Sequence, residues 1–291
     1  MASISAIRQK IKSVQATTQI TKAMNLVSAS KLQKAKNKLQ RTKPFFTETE
    51  RVIANIINHS GDVGHKLLEP RGKGKAEANA KGGIAVIVIT SDRGLCGGYN
   101  SNINKEVFNL IKDRDDEKLI VAGNKGKDFF LRRGRNVFRA FSGISENPIY
   151  EDGSDIGKLA LDMYVLGEVK EVYLAYTKFI STITHEVKIK KILPLDTEDF
   201  KGDTEEKFST MIYEPSEKKI LDYVIPKYIN TTIYGALIES SACEQGARMT
   251  SMDSATDNAY KMIDSLTLQY NRVRQGSITQ EITEIVAGSA G

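Results

Sequence analysis

A chain of 291 residues with 27% charged and 40% hydrophobic content is long enough for one large domain or two modest ones, with the balance of a water-soluble fold. No apolar run approaches the ~20 residues that cross a bilayer, and the opening MASISAIRQKIKSV lacks a signal-peptide core, so neither membrane insertion nor a secretory leader is expected. Cys96 and Cys243 lie far apart and outside any CxxC pair, and His59, His65 and His185 have no metal-ligand spacing, which argues against a disulfide framework, a metal site and any metal cofactor.

The charge is unevenly spread. Residues 1–47 carry ten Lys and Arg and no Asp or Glu, so a whole-chain balance of +6 leaves the remainder at −4. A segment of this kind suits an acidic partner or a solvated helix face. The same segment reads as a coiled-coil helix. Ile4, Ile7, Ile11, Val14, Thr18, Thr21, Asn25, Ser28, Leu32, Ala35 and Leu39 recur at spacings of three and four. The stripe is aliphatic at its ends and small and polar in its middle, which points to a seam shared with something besides one partner helix. Pro44 is expected to bend or interrupt the helix, because it lacks an amide donor and clashes one turn back. The pattern then resumes and stops near Gly61.

A Gly- and Lys-rich stretch, GDVGHKLLEPRGKGKAEANAKGG, reads as a mobile loop over 61–83. Beyond it, strand-like runs alternate with helical ones. GIAVIVIT, KLIVAG, NVFRAFSG and VKEVYLAYTKF read as strands, with helical stretches between them. THEVKIKKILPL reads as a final strand paired antiparallel at one edge. The alternation predicts a mainly parallel, Rossmann-like α/β sheet over 84–212. From 213 to 291 the chain reads as one long helix, with a stripe from Leu221 to Leu237 continuing through Met252, Ala255, Ala259, Met262, Leu266, Tyr270 and Val273 to Ile278, Ile282 and Ile285. About 70 helical residues would span on the order of 100 Å, a length that implies a coiled coil or bundle. An α/β domain is thus expected between two terminal helices, over 1–60 and 213–291, that must find each other in space.

The loop TSDRGLCGGYNSN (90–102) follows a strand and precedes a helix, the setting in which many folds hold a phosphate. It lacks the Lys-Ser/Thr of a P-loop, and Gly94, Gly97 and Gly98 are not spaced as GxGxxG. Cys96 has no histidine near it in sequence to act as a base. The glycines serve turning and tight packing. Asp92 and Arg93 are candidates for contact with a partner. A dinucleotide-dependent enzyme would need a better glycine fingerprint and an acid downstream. A coiled-coil nucleic-acid binder would use the basic helix and lose affinity steeply with salt. A static coiled-coil tether would leave the inserted domain unexplained.

ITKAMNLVSASKL (20–32), SDRGLCGGYN (91–100) and YNRVRQGSITQEITEIVAG (270–288), in this order, resemble the gamma subunits of the F-type ATP synthases, and the resemblance covers essentially the whole chain. It implies a non-catalytic central rotor shaft without a cofactor of its own. Its terminal helices would form an antiparallel coiled coil inside a head of alpha and beta subunits. Its α/β domain would form a foot that sits with epsilon on a ring of membrane c subunits. The resemblance further implies no nucleic-acid partner and a peripheral place on the cytoplasmic face of a bacterial plasma membrane. It assigns Arg274, Gln275, Thr279 and Glu284 to contact with the catalytic subunits. Met24 and Arg248 fall in the coupling region at the head's lower edge, and Tyr213 and Glu214 at the ring.

Overall fold

The computed structural model describes residues 4–60, 65–68, 83–200, 214 and 216–289. Most of the loop expected at 61–83 therefore lies outside the described residues, as does Tyr213. Helix α1 runs Ile4–Ser60 and ends the first part of the chain. Strands and helices then alternate as β1 (Gly83–Ile89), α2 (Tyr99–Ile111), β2 (Glu117–Ala122), α3 (Asn124–Leu131), β3 (Val137–Phe141), α4 (Tyr150–Val165), β4 (Val169–Phe179) and β5 (His185–Leu193). Helix α5, Glu217–Ser289, closes the chain. Two compact units result. One comprises Met1–Ala29 with Arg248–Gly291, and the other Ser30–Ala247.

In the larger unit the five strands form one sheet in the order β3-β2-β1-β4-β5. The first four run parallel and β5 is antiparallel to β4 at the edge. This is the mainly parallel architecture expected, with its antiparallel edge. Strand β1 is buried along its whole length, as a central parallel strand covered on both faces must be. Its side chains alternate between two cores. Ile84, Val86 and Val88 meet Ile103, Val107 and Ile111 of α2 and Phe130 of α3. Ala85, Ile87 and Ile89 face the larger core, built from α4, the end of α1 and the beginning of α5.

Proline does not stop either long helix. Pro44 and Pro226 both sit inside continuous helix. Near Pro44, Phe46 stacks on Tyr228 of α5 with ring centroids 5.7 Å apart. Further along, Ile53 and Ile56 are fully buried. Each fully buried aliphatic side chain contributes about 1.5–3 kcal/mol, enough in sum to outweigh the ~3 kcal/mol of a helical proline. The expected interruption at Pro44 is thus overridden by packing. Helix α4 begins earlier than its apolar pattern. The backbone amide of Ile149 donates to the Asp152 carboxylate at 2.8 Å, half of a capping box, which sets the start at Tyr150.

Helices α4 and α5 approach closely through glycine. A Cβ on Gly153 would lie 2.7 Å from the Tyr234 Cβ and 2.9 Å from its backbone nitrogen. At Gly123 the constraint is doubled: φ is +97°, and a Cβ would stand 2.3 Å from the Thr90 carbonyl oxygen. Gly123→Ala is expected to cost about 2–4 kcal/mol from backbone strain plus steric displacement. Urea unfolding should show a lower midpoint with an unchanged slope. A midpoint equal to wild type would mean that the turn after β2 relaxes freely.

Candidate functional site

Two regions bear on function, one in each unit. The first is the loop after β1, at the point where strand order reverses between β2 and β4. In open α/β sheets this crevice, outside the carboxyl ends of the strands, is where ligands bind. Here the chain fills it. Cys96 and Tyr99 from the loop pack with Cys243 of α5, backed by Phe179 and Ala247. The Cys243 thiol lies 3.4 Å from the Thr177 carbonyl. Ser240 Oγ accepts the Thr177 amide at 3.3 Å, so α5 is bonded to the end of β4.

The loop's polar residues are spent inside the fold. Thr90 Oγ1 donates to the Ala122 carbonyl and accepts the Gly126 amide, both at 2.9 Å. Asn100 Oδ1 accepts the Ser91 amide at 2.9 Å. Asp92 Oδ1 accepts the amide and the side-chain Nδ2 of Asn124 at 3.2 and 3.1 Å. Its Oδ2 accepts the Ser145 amide at 3.2 Å. Asp92 thereby joins the ends of three parallel strands, a structural role that its sequence context did not reveal. Arg93 points outward with its side chain 76% exposed, its Nε 3.5 Å from Glu146 Oε1. Leu95 and Gly97 take left-handed backbone, with φ of 64° and 54°.

Cys96 is not placed as a nucleophile. It is buried, and its sulfur accepts from Asn100 Nδ2 at 3.2 Å. Burial pushes the Cys243 thiol well above its ordinary pKa, so its reactive thiolate is suppressed. Neither cysteine is in a disulfide. A thiol reagent at pH 8 should therefore label the folded chain slowly and both cysteines quickly in denaturant. Fast labelling of Cys96 in the folded chain would contradict this packing.

The second region is the smaller unit, where residues 4–29 of α1 pair with α5 from Arg248 onward. Thr21 Oγ1 and Thr256 Oγ1 are 2.7 Å apart. Asn25 Nδ2 donates to the Met249 carbonyl at 3.0 Å. As α1 advances from 21 to 25 its partner retreats from 256 to 249, so the pair is antiparallel. Thr18 and Thr21 are buried. The polar middle of the stripe therefore belongs to this seam itself, rather than facing a further partner as expected. On α5 the seam runs Met252, Thr256, Ala259, Ile263, Leu266, Tyr270 and Val273, all buried or half-buried. Two residues assigned to the stripe by sequence are displaced by the next one along: Thr256 takes the place of Ala255, and Ile263 that of Met262, which is 48% exposed. The reason is heptad phase: Met252, Ala259, Leu266 and Val273 are seven apart, which puts the alternate position at 263.

The register of Thr21 on Thr256 brings Ile4 level with about Val273. Beyond that point α5 has no companion among the described residues. Ile282 and Ile285 are 56% and 71% exposed. Arg274, Gln275, Thr279 and Glu284 all lie on this overhang and are exposed. Thr279 Oγ1 donates back to the Gln275 carbonyl at 2.9 Å, and Gln280 Nε2 donates to Glu284 at 3.0 Å. Met24 is half-buried. Arg248 is 5% exposed, so this residue expected at a partner contact is enclosed by its own chain. In the larger unit, Glu214 is exposed. No helix among the described residues is long and apolar enough to cross a membrane.

Comparison with known proteins agrees with this architecture. A family model described as ATP synthase matches residues 3–291. The chain is 48% identical over 286 residues to the ATP synthase gamma chain of Alkaliphilus metalliredigens, spanning 97% of this chain and 96% of that one. It is 41% identical over 299 residues to the sodium ion specific ATP synthase gamma chain of Acetobacterium woodii, again spanning 97% and 96%. Among solved structures it matches a chain of the central stalk and c-ring of Tetrahymena thermophila mitochondrial ATP synthase. That match has a TM-score of 0.62 and 27% identity, covering 81% of this chain and 99% of that one. An inserted parallel sheet, an antiparallel helical pair and likeness along nearly the full length lead to one assignment: the chain belongs to the ATP synthase gamma chain family.

Proposed function

We propose that this chain is the central rotor shaft of a rotary ion-translocating ATP synthase, coupling rotation of a membrane ring to conformational change in a catalytic head. The overhang of α5 carries the reading. A helix segment with an uncovered apolar stripe is marginal in water, and contiguous exposed apolar surface marks an interaction site. A head of alpha and beta subunits surrounding the segment would cover it. The foot would be the sheet domain, set with epsilon on the ring of c subunits through Tyr213 and Glu214, peripheral to the cytoplasmic face of a bacterial membrane.

In this reading the subunit does no chemistry itself. The crevice that would hold a nucleotide in a related fold is occupied by Cys96, Tyr99 and Cys243. The chain alone should turn over no ATP, and stoichiometric turnover by the purified subunit would overturn the assignment. Arg274, Gln275, Thr279 and Glu284 would touch the catalytic subunits from the overhang, and Arg93 from the loop that Asp92 holds in shape. Met24 would sit at the head's lower edge. Arg248, being buried, would act there through the packing of the helical pair. A cysteine at Met24 bridged to one on the facing head subunit should stop turnover, and reduction should restore it. Undiminished synthesis with the bridge closed would refute rotation.

Magnitudes limit what any one contact does. Switching a catalytic site almost completely between two conformations needs about 5.5 kcal/mol of differential interaction. One charged hydrogen bond supplies about 1.5–3 kcal/mol, and an exposed pair less. The switch must therefore be distributed over the asymmetric shaft. Arg274→Ala and Gln275→Ala are each expected to slow hydrolysis and weaken ion pumping in the assembled complex without abolishing either. The double change should be worse, because neighbours engaging one surface are coupled. Complete loss from Gln275→Ala with assembly intact would contradict distributed contact. No effect from the double change would remove both residues from the site.

A further inference from the structure

The sheet domain is joined to the terminal helices by two chain connections, and both leave from the same end of the sheet. Strand β1 begins there at Gly83, level with Val169, and β5 ends there at Leu193, level with Val172. At the opposite end, among the described residues, no chain connection leaves the sheet for α1 or α5. The apolar core holds the helices against the sheet, but apolar burial is non-directional and defines an angle less sharply than hydrogen bonds do. The turn after β3 supplies directional contacts at that far end. Glu146 Oε2 accepts Lys31 Nζ of α1 at 2.6 Å. Lys38 of α1, two turns on, donates to the Pro148 carbonyl. Ser241 Oγ of α5 donates to the Glu146 carbonyl at 3.2 Å. Behind the turn, Asp92 grips Ser145 through two bonds, from the Ser145 amide at 3.2 Å and to the Ser145 hydroxyl from its own amide at 3.0 Å.

The geometry points to a torsional latch: the turn Ser145–Pro148 clamps α1 and α5 to the free end of the sheet domain, with Glu146 and Lys38 as positioning residues that carry torque between the helices and the foot. This rests on the rotor reading above. With the latch closed, the helices and the sheet turn as one body. With it open, α5 alone stays bonded to that end, through Ser240 on Thr177 and Glu239 on Phe179 of β4, and α1 twists against the sheet before the foot follows.

The test uses the complete complex carrying Glu146→Gln or, separately, Lys38→Met. Hydrolysis by the head detached from the membrane part should match wild type, because it does not draw on the foot. Ions pumped per ATP by the membrane-bound complex should fall as the opposing gradient rises, and amide hydrogen exchange over 145–148 should quicken in both variants. A purely structural role would lower thermal stability and leave the pumping ratio at its wild-type value. That result in both variants would overturn the latch. A fall confined to Glu146→Gln would leave the pairs of Glu146 with Lys31 and Arg93 as the contacts that matter and overturn a latch that includes Lys38. Unquickened exchange would show that the contacts do not hold the turn. A wild-type complex that pumps no ions would instead remove the rotor reading, with the exchange result still deciding whether the clamp exists.

Discussion

Each terminal helix buries most of its apolar stripe, apart from the overhang of α5, and the architecture follows from that. Helix α1 spends its last turns, through Ile53, Ile56 and Ile57, in the larger core beside Leu221, Ile225 and Ile229 of α5. In the smaller unit its first turns meet α5 along an antiparallel seam of heptad type. Segments from opposite ends of a 291-residue chain are therefore obliged to pair. Whatever lies between them must begin and end on one side. A sheet whose first strand starts, and whose last, antiparallel strand finishes, at the same end meets that requirement. The reversed edge strand β5 is thus what lets a parallel α/β unit be inserted between two paired helices.

The same requirement changes what the sheet can do. Doubly wound sheets leave a crevice where strand order reverses, and this one has that reversal at β1. Helix α5 passes over it and fills it with Cys243, while Ser240 takes up the amide of Thr177. The glycine-bearing loop keeps the strand-to-helix form of a phosphate loop, but its polar groups face inward. Thr90, Asp92 and Asn100 bind backbone and side chains of this chain. The loop joins strand ends to one another and presents a single outward cation, Arg93.

Much of the fold was legible because hydrophobic period is a strong signal over long elements. The alternating spacing from Ile4 to Leu39 and the run of β1 needed no tertiary information. What was hidden depended on partners distant in sequence. Pro44 signals a break only if no packing compensates, and Tyr228, which stacks on Phe46, is more than 180 residues away. The burial of Arg248 and the inward turn of Asp92 have no local signature. Residues at the middle of a helix or in a polar loop read as surface until the neighbouring element is known. The choice of Ile263 over Met262 turned on a single step of heptad phase, which residue type alone cannot decide. The turn at Ser145–Pro148 has no local signature either, since its importance lies in lysines more than a hundred residues earlier.

Polar groups, rather than the apolar majority, give this assembly its angular definition. A purely aliphatic seam tolerates slippage between neighbouring registers, since one leucine fits a hole much as the next does. A hydroxyl pair such as Thr21 with Thr256, or the Asn25 amide on the Met249 carbonyl, loses its partner on moving by one position. Burying such groups costs stability compared with leucine, and that cost is repaid in specificity of register. The larger unit uses the same division of labour. Its core supplies adhesion, and the bonds from Lys31, Lys38 and Ser241 supply direction. An element that has to deliver rotation needs the second property as much as the first, because a shaft that adheres but slips transmits no angle.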